Sequence, residues 1–129
     1  MSIGAFLDVL KPDRCLVPLG VKHPDHIQTG QTGRRALAAR KGIEAIIHAD
    51  LPYRFVYETD YDAVRDHQVP AEGFRLTDDF ERDMPSTNQP KLDAAMRYDS
   101  QQWRFDRQAW EKSMKLGAEV FWHLRAADA

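Results

Sequence analysis

The sequence predicts an α+β domain: a small sheet of three or four strands covered by two main helices. Three observations carry that expectation. Residues 33–49 and 100–125 each place apolar side chains at the i, i+3, i+4, i+7 spacing of a helix buried along one stripe. Short runs at 15–21, 53–59 and 74–76 are apolar, aromatic or β-branched and suit strands. Segments rich in proline, glycine and polar residues separate these runs. The rival reading is a mostly α domain with little sheet. At 129 residues the chain fits a single domain, 1–129.

Taken in order, Ser2 is an N-cap for a short helix, Ile3 to Leu10, which carries Phe6, Leu7 and Leu10 and ends at Lys11-Pro12-Asp13. Cys15 to Val21 is an apolar strand. Pro18 cannot donate to a ladder, so this strand lies at an edge or breaks there. Residues 22–33 contain Pro24, Gly30 and Gly33 and read as a long loop. From Gly33 to about residue 49, Ala36, Ala39, Ile43, Ile46 and Ile47 fall on one side of a helix, with Pro52 beyond its exit. Tyr53 to Thr59 follows as a strand, with Tyr53, Phe55 and Tyr57 sharing a face. Phe74 to Leu76 is a short strand, and Thr77 caps a helix start running to Glu81. Residues 85–90 are a loop. In the last helix Trp103, Trp110, Met114, Phe121 and Leu124 share a stripe, and Trp122 points away from it, either partly covered by the N-terminal segment or offered to a partner.

Composition excludes some classes. With 43% hydrophobic and 10% aromatic residues, wholesale disorder is excluded. A net charge of −2 argues against nucleic-acid binding. One cysteine excludes an intramolecular disulfide framework and points to a reducing, cytoplasmic setting. The apolar N-terminal run is too short for a membrane span. Charge is segregated along the chain. Residues 1–54 carry eight Lys or Arg against five acids, whereas residues 58–83 carry nine acids against three arginines. Such asymmetry can orient a partner.

Two clusters could carry small-molecule chemistry. Thr29, Gly30, Thr32, Gly33, Arg34 and Arg35 would bind an anion, because glycines admit close backbone approach, a helix start favours negative charge, and arginines fork phosphate oxygens. No Gly-Lys-Ser/Thr closes this segment as in a Walker loop. His23, Asp25 and His26 are three potential metal ligands within four residues, and further donors would come from His48, His67 or Asp66. Cys15, beside Arg14, is a thiol nucleophile only if a histidine lies near it in space. No cofactor is called for.

No spacing assembles a catalytic constellation. The leading expectation is therefore a non-catalytic protein-binding module, such as a small inhibitor, immunity protein or adaptor. It would dock Asp60, Asp62, Asp66, Asp78, Asp79, Glu81 and Trp122 on a protein partner. The alternative is a small enzyme or ligand-binding protein for a phosphate or carboxylate metabolite. Its anion would sit at the 29–35 loop, with His26 or His48 as acid or base.

Overall fold

In the computed structural model, residues 2–51, 53–82, 89–91, 93–94, 96–97, 108 and 119–128 are described. The α+β expectation holds. The described strands β1 (Arg14–Pro18), β2 (Glu44–His48), β3 (Phe74–Arg82) and β4 (Glu119–Ala126) form one sheet in the order β1-β2-β4-β3. Strand β1 runs parallel to β2, with Val17 opposite Ile47. Strand β4 is antiparallel to both β2 and β3.

Helix α1 (Ile3–Leu10) starts as its sequence predicts, with Ala5 N donating to Ser2 Oγ at 3.2 Å. It stops where Lys11 turns left-handed at φ 47°. Strand β1 lies at the sheet edge and ends on Pro18, which has no N–H for a further ladder bond.

Helix α2 (Pro24–Ala38) departs from expectation: it occupies the segment predicted as a loop and ends before most of the predicted helix begins. Its start is well specified. His23 caps it, Pro24 takes a first-turn position that needs no N–H, and Asp25 adds an acid to the first turn. Its glycines are contacts, not hinges. A Cβ at Gly33 would lie 2.5 Å from Val17 Cγ1, and one at Gly30 would lie 2.7 Å from the Leu19 carbonyl oxygen. Glycine lets the helix lie directly on β1.

The Ala45-Ile46-Ile47 run, predicted as helix, is the buried centre of β2. A strand covered on both faces is apolar without alternation, so its pattern also fits a helix. The predicted strand at 53–59 is instead helical: α3 (Tyr53–Val56), then α4 (Glu58–Ala63). Tyr57 N donates to Tyr53 O at 2.8 Å and Tyr61 N to Tyr57 O at 3.0 Å. The rod continues through a π-helical turn, Val64–Gln68, and a last short turn, α5 (Val69–Ala71). The predicted helix start at Thr77 is part of β3. The C-terminal end of the predicted 100–125 helix is β4, where Val120, Trp122 and Leu124 alternate inward. Trp103, Trp110 and Met114 lie outside the described residues. Among the described residues, no helix is long and apolar enough to cross a membrane.

The core fills one side of the sheet. Val17, Leu19, Ala45, Ile47, Val120, Trp122 and Leu124 pack against Leu7, Leu37, Tyr61 and Val69 of the helices. Arg34 is fully buried among them, at 0% exposure. Its Nε and Nη2 donate to Glu72 at 2.8 and 2.9 Å, and its Nη1 donates to the Leu19 carbonyl at 2.5 Å. Removing one partner of such a pair strands a buried charge. Glu72→Ala should therefore destabilise the protein by about 3–5 kcal/mol in urea unfolding. Glu72→Ala combined with Arg34→Met should recover part of that loss.

The surface carries pH-sensitive pairs. Hydrogen bonds from Arg40 hold the Asp8 carboxyl below its ordinary range, and those from Arg14 do the same for Glu44. A depressed folded-state value means stability that is present above the unfolded value, about 4, and lost as pH falls through the folded value. Thermal midpoints should therefore drop below about pH 4, and Arg40→Gln should flatten part of that drop.

Candidate active site at the carboxyl ends of β1 and β2

Parallel strands leave a crevice beyond their carboxyl ends, and ligands of open α/β sheets bind there. In this chain the segment after β1 and the residues after β2 meet at that edge. Asp50, just past β2, is 2% exposed. Its Oδ2 accepts from Gly20 N at 2.9 Å and Val21 N at 2.7 Å. Its buried Oδ1 has no hydrogen-bond partner among the described residues.

His26, in the first turn of α2, faces this carboxylate. Its Nδ1 lies 3.7 Å from Asp50 Oδ2, and its side chain is 40% exposed. That nitrogen likewise has no hydrogen-bond partner among the described residues. A half-exposed imidazole beside a buried carboxylate is an arrangement that proton-handling sites use.

Aromatic rings extend the site outward. Tyr53 meets His26 edge-on, with centroids 5.2 Å apart, and stacks on Tyr57 at 6.1 Å. This is the i, i+4 spacing of a helix, and it exists because the turn Tyr53–Val56 is helical and brings Tyr57 back over Tyr53. Lys22 Nζ sits 4.8 Å above the Tyr57 ring and 3.8 Å from Asp60 Oδ2.

The loop that presents these groups is strained. Lys22 has φ 64°, and His23 N donates to Val21 O at 2.7 Å across it. A γ-turn with positive φ at its centre is rare and strained. A left-handed conformation costs a non-glycine residue roughly 1–2 kcal/mol. The exposed Lys22–Asp60 pair offsets about 0–1 kcal/mol of that.

The predicted anion-binding group does not assemble. Arg34 is spent on Glu72 and Leu19, and Gly30 and Gly33 are pressed against β1. Thr29 and Thr32 lie on another side of α2, where with Ile3, Asp25 and Gln28 they line a hollow of about 340 Å³. Arg35 is exposed. A helical segment points these side chains in different directions, whereas a loop could have gathered them. His48, the other predicted acid or base, turns its Nδ1 to the Ala49 carbonyl at 3.2 Å.

The predicted metal ligands share the helix start but do not converge. His23 Nδ1 accepts from Asp25 N at 3.3 Å, and the His23 and His26 rings are 5.6 Å apart. Among the described residues, no three His, Cys, Asp or Glu side chains are placed to hold a metal ion. Burial pushes the Cys15 thiol up from its ordinary range, against a nucleophilic role.

The predicted partner surface is divided. Asp62 and Asp66 are both paired with Arg65, at 2.8 and 2.7 Å. Asp60 faces Lys22, and Asp78, Asp79 and Glu81 fall within β3. Trp122, expected to face a partner, is 5% exposed and packs on Tyr61 with centroids 6.0 Å apart. Strand alternation turns it inward, where a helix would have turned it out.

No family model matches the chain, and no curated protein does. Two solved structures share its fold. One is a deacetylase in the biosynthesis pathway of teicoplanin, with TM-score 0.73 and 24% identity over 98% of this chain and 51% of that one. Another is teicoplanin deacetylase Orf2 in its zinc-inhibited form, with TM-score 0.66 and 26% identity over 98% of this chain and 50% of that one. The chain therefore spans about half the length of each. This likeness overturns the expectation of a non-catalytic inhibitor, immunity protein or adaptor: the fold is one that enzymes use. In the anion site at 29–35, offered as the alternative, Arg34, Gly30 and Gly33 are not gathered with Thr29 and Thr32.

The site makes its own stability prediction. Asp50→Ala leaves the Gly20 and Val21 N–H groups buried without an acceptor, at roughly 1–3 kcal/mol each. Urea unfolding should show a loss of that order, and Asp50→Asn, which keeps one acceptor oxygen, should lose less.

Proposed function

We propose that this chain carries the proton-handling site of a hydrolase that removes an acetyl group from an amide nitrogen. The observation that supports this reading is the His26–Asp50 pair at the carboxyl ends of parallel strands, in a fold shared with deacetylases. His26 is a general base in the first step. A water oxygen adds to the acetyl carbonyl carbon as its proton passes to His26. The tetrahedral intermediate then expels the amine nitrogen, which takes that proton back. The products are acetate and the free amine. Asp50, locked by two backbone N–H groups, lies 3.7 Å from the imidazole and balances the charge it gains.

A zinc ion, present in the second neighbour, needs three or four converging donors. His23, Asp25 and His26 do not supply that arrangement, so the proposed steps use the chain's own groups. A cytoplasmic setting belongs to the same reading and rests on the lone free cysteine.

The test is acetate release from a panel of N-acetylated amines, by the protein and two variants. His26→Ala should lower kcat by about 10²–10⁴-fold. Asp50→Asn should lower kcat by about tenfold or more while leaving the circular dichroism spectrum intact. Equal acetate release by wild type and His26→Ala would remove the basis of the proposal.

A further inference from the structure

We propose that Lys22 is a specificity residue that binds an anionic group on the substrate, across a row of rings from the reacting acetyl group. This rests on the hydrolase reading for the identity of the acetyl end, but not for the anion end. The argument begins with the backbone. Lys22 occupies the centre of a strained γ-turn at φ 64°, a conformation that glycine adopts without penalty. Among the described residues the side chain's ion-pair partner is Asp60, 3.8 Å away, and both side chains are about half exposed, at 52% and 53%. Such a pair returns less than the strain removes. A lysine is therefore explained here by what its ammonium does at the site, since backbone strain held at a site is a common mark of function.

Its position supports that role. Lys22 ends a path that runs from Asp50 through His26, Tyr53 and Tyr57, with ring steps of 5.2 and 6.1 Å and a final step of 4.8 Å to the ammonium. The other end holds the buried Asp50 Oδ1 and His26 Nδ1, which have no hydrogen-bond partner among the described residues. A ligand with an acetamide at one end, a flat ring in the middle and a carboxylate or phosphate beyond it matches this layout. The ring would lie along Tyr53 and Tyr57. Its anion would draw Lys22 from Asp60, a cheap exchange because both partners are solvated.

The probe pair is 4-acetamidobenzoate and its neutral analogue 4-acetamidobenzamide, with binding followed by titration calorimetry. Wild type should bind the carboxylate at least about tenfold more tightly than the amide, a preference that shrinks as salt rises. Lys22→Gly should unfold at a higher temperature, because the turn relaxes, yet lose the preference. Lys22→Arg should keep the preference. A purely structural lysine would show the change in unfolding temperature without the change in preference. Equal binding of the two probes by wild type, failure to bind either, or an unchanged preference in Lys22→Gly would overturn the proposal. Selective binding without acetate release would refute the hydrolase reading and leave the role of Lys22 standing.

Discussion

The segment Leu19-Gly20-Val21 is the constraint on which the site depends. It runs through the interior beyond the end of β1, with Leu19 and Val21 at 0% exposure. Leu19 N still donates to the His48 carbonyl of β2 at 2.9 Å, and two charged side chains satisfy further backbone groups. Arg34 donates to the Leu19 carbonyl from one side, and Asp50 accepts from Gly20 and Val21 on the other. These are the buried charged residues among those described. A buried charge is tolerated only when it is paired or richly hydrogen-bonded, and each meets that condition differently. Arg34 has Glu72, which Gln68 also contacts at 3.3 Å. Asp50 has two amides and the nearby imidazole of His26. The pair through Glu72 ties α2 to the end of the α4–α5 rod, so the sheet, α2 and that rod are joined at one guanidinium.

That arrangement explains which parts of the fold were legible in the sequence. Helix α1 was, because Ser2 and Lys11-Pro12 are local signals that act within one turn. The edge position of β1 was, because Pro18 is a local chemical fact. Helix α2 was not. Its sheet-facing stripe is His26, Gly30, Gly33, Arg34 and Leu37, at helical spacing but with a single aliphatic residue. Hydrophobic periodicity cannot see a stripe made of glycines that admit a backbone and an arginine that feeds a carbonyl. Of the isoleucines that did form a pattern, Ile46 and Ile47 belong to a strand buried on both faces, where any periodicity can be fitted, and Ile43 lies just before that strand.

The same distinction separates the site residues. His23, Asp25 and His26 stood out as a cluster, and His26 was already a candidate acid or base. Asp50 was not, because its significance comes from position: an acid directly after a central strand lies at the carboxyl edge where α/β sheets bind ligands. Reading 43–48 as a strand would have exposed it. Trp122 misled for the complementary reason. An indole that falls off a helical stripe falls on the inward face of a strand, so one wrong period turned a core residue into a partner-facing one.

Strain and satisfaction meet at one turn. Asp50 pulls the amides of Gly20 and Val21 inward, and the chain must then reverse within two residues to reach His23, where α2 begins. Gly20 absorbs part of that reversal at φ 92°, as a glycine can. Lys22 absorbs the rest at φ 64°, where a side chain is a burden. Both deviations follow from placing Asp50 under the loop and His26 above it, within 3.7 Å of each other. A looser loop would lower the strain and let the first turn of α2 drift from the carboxylate. The left-handed residues at 20 and 22 are thus the local consequence of holding an imidazole over a buried acid.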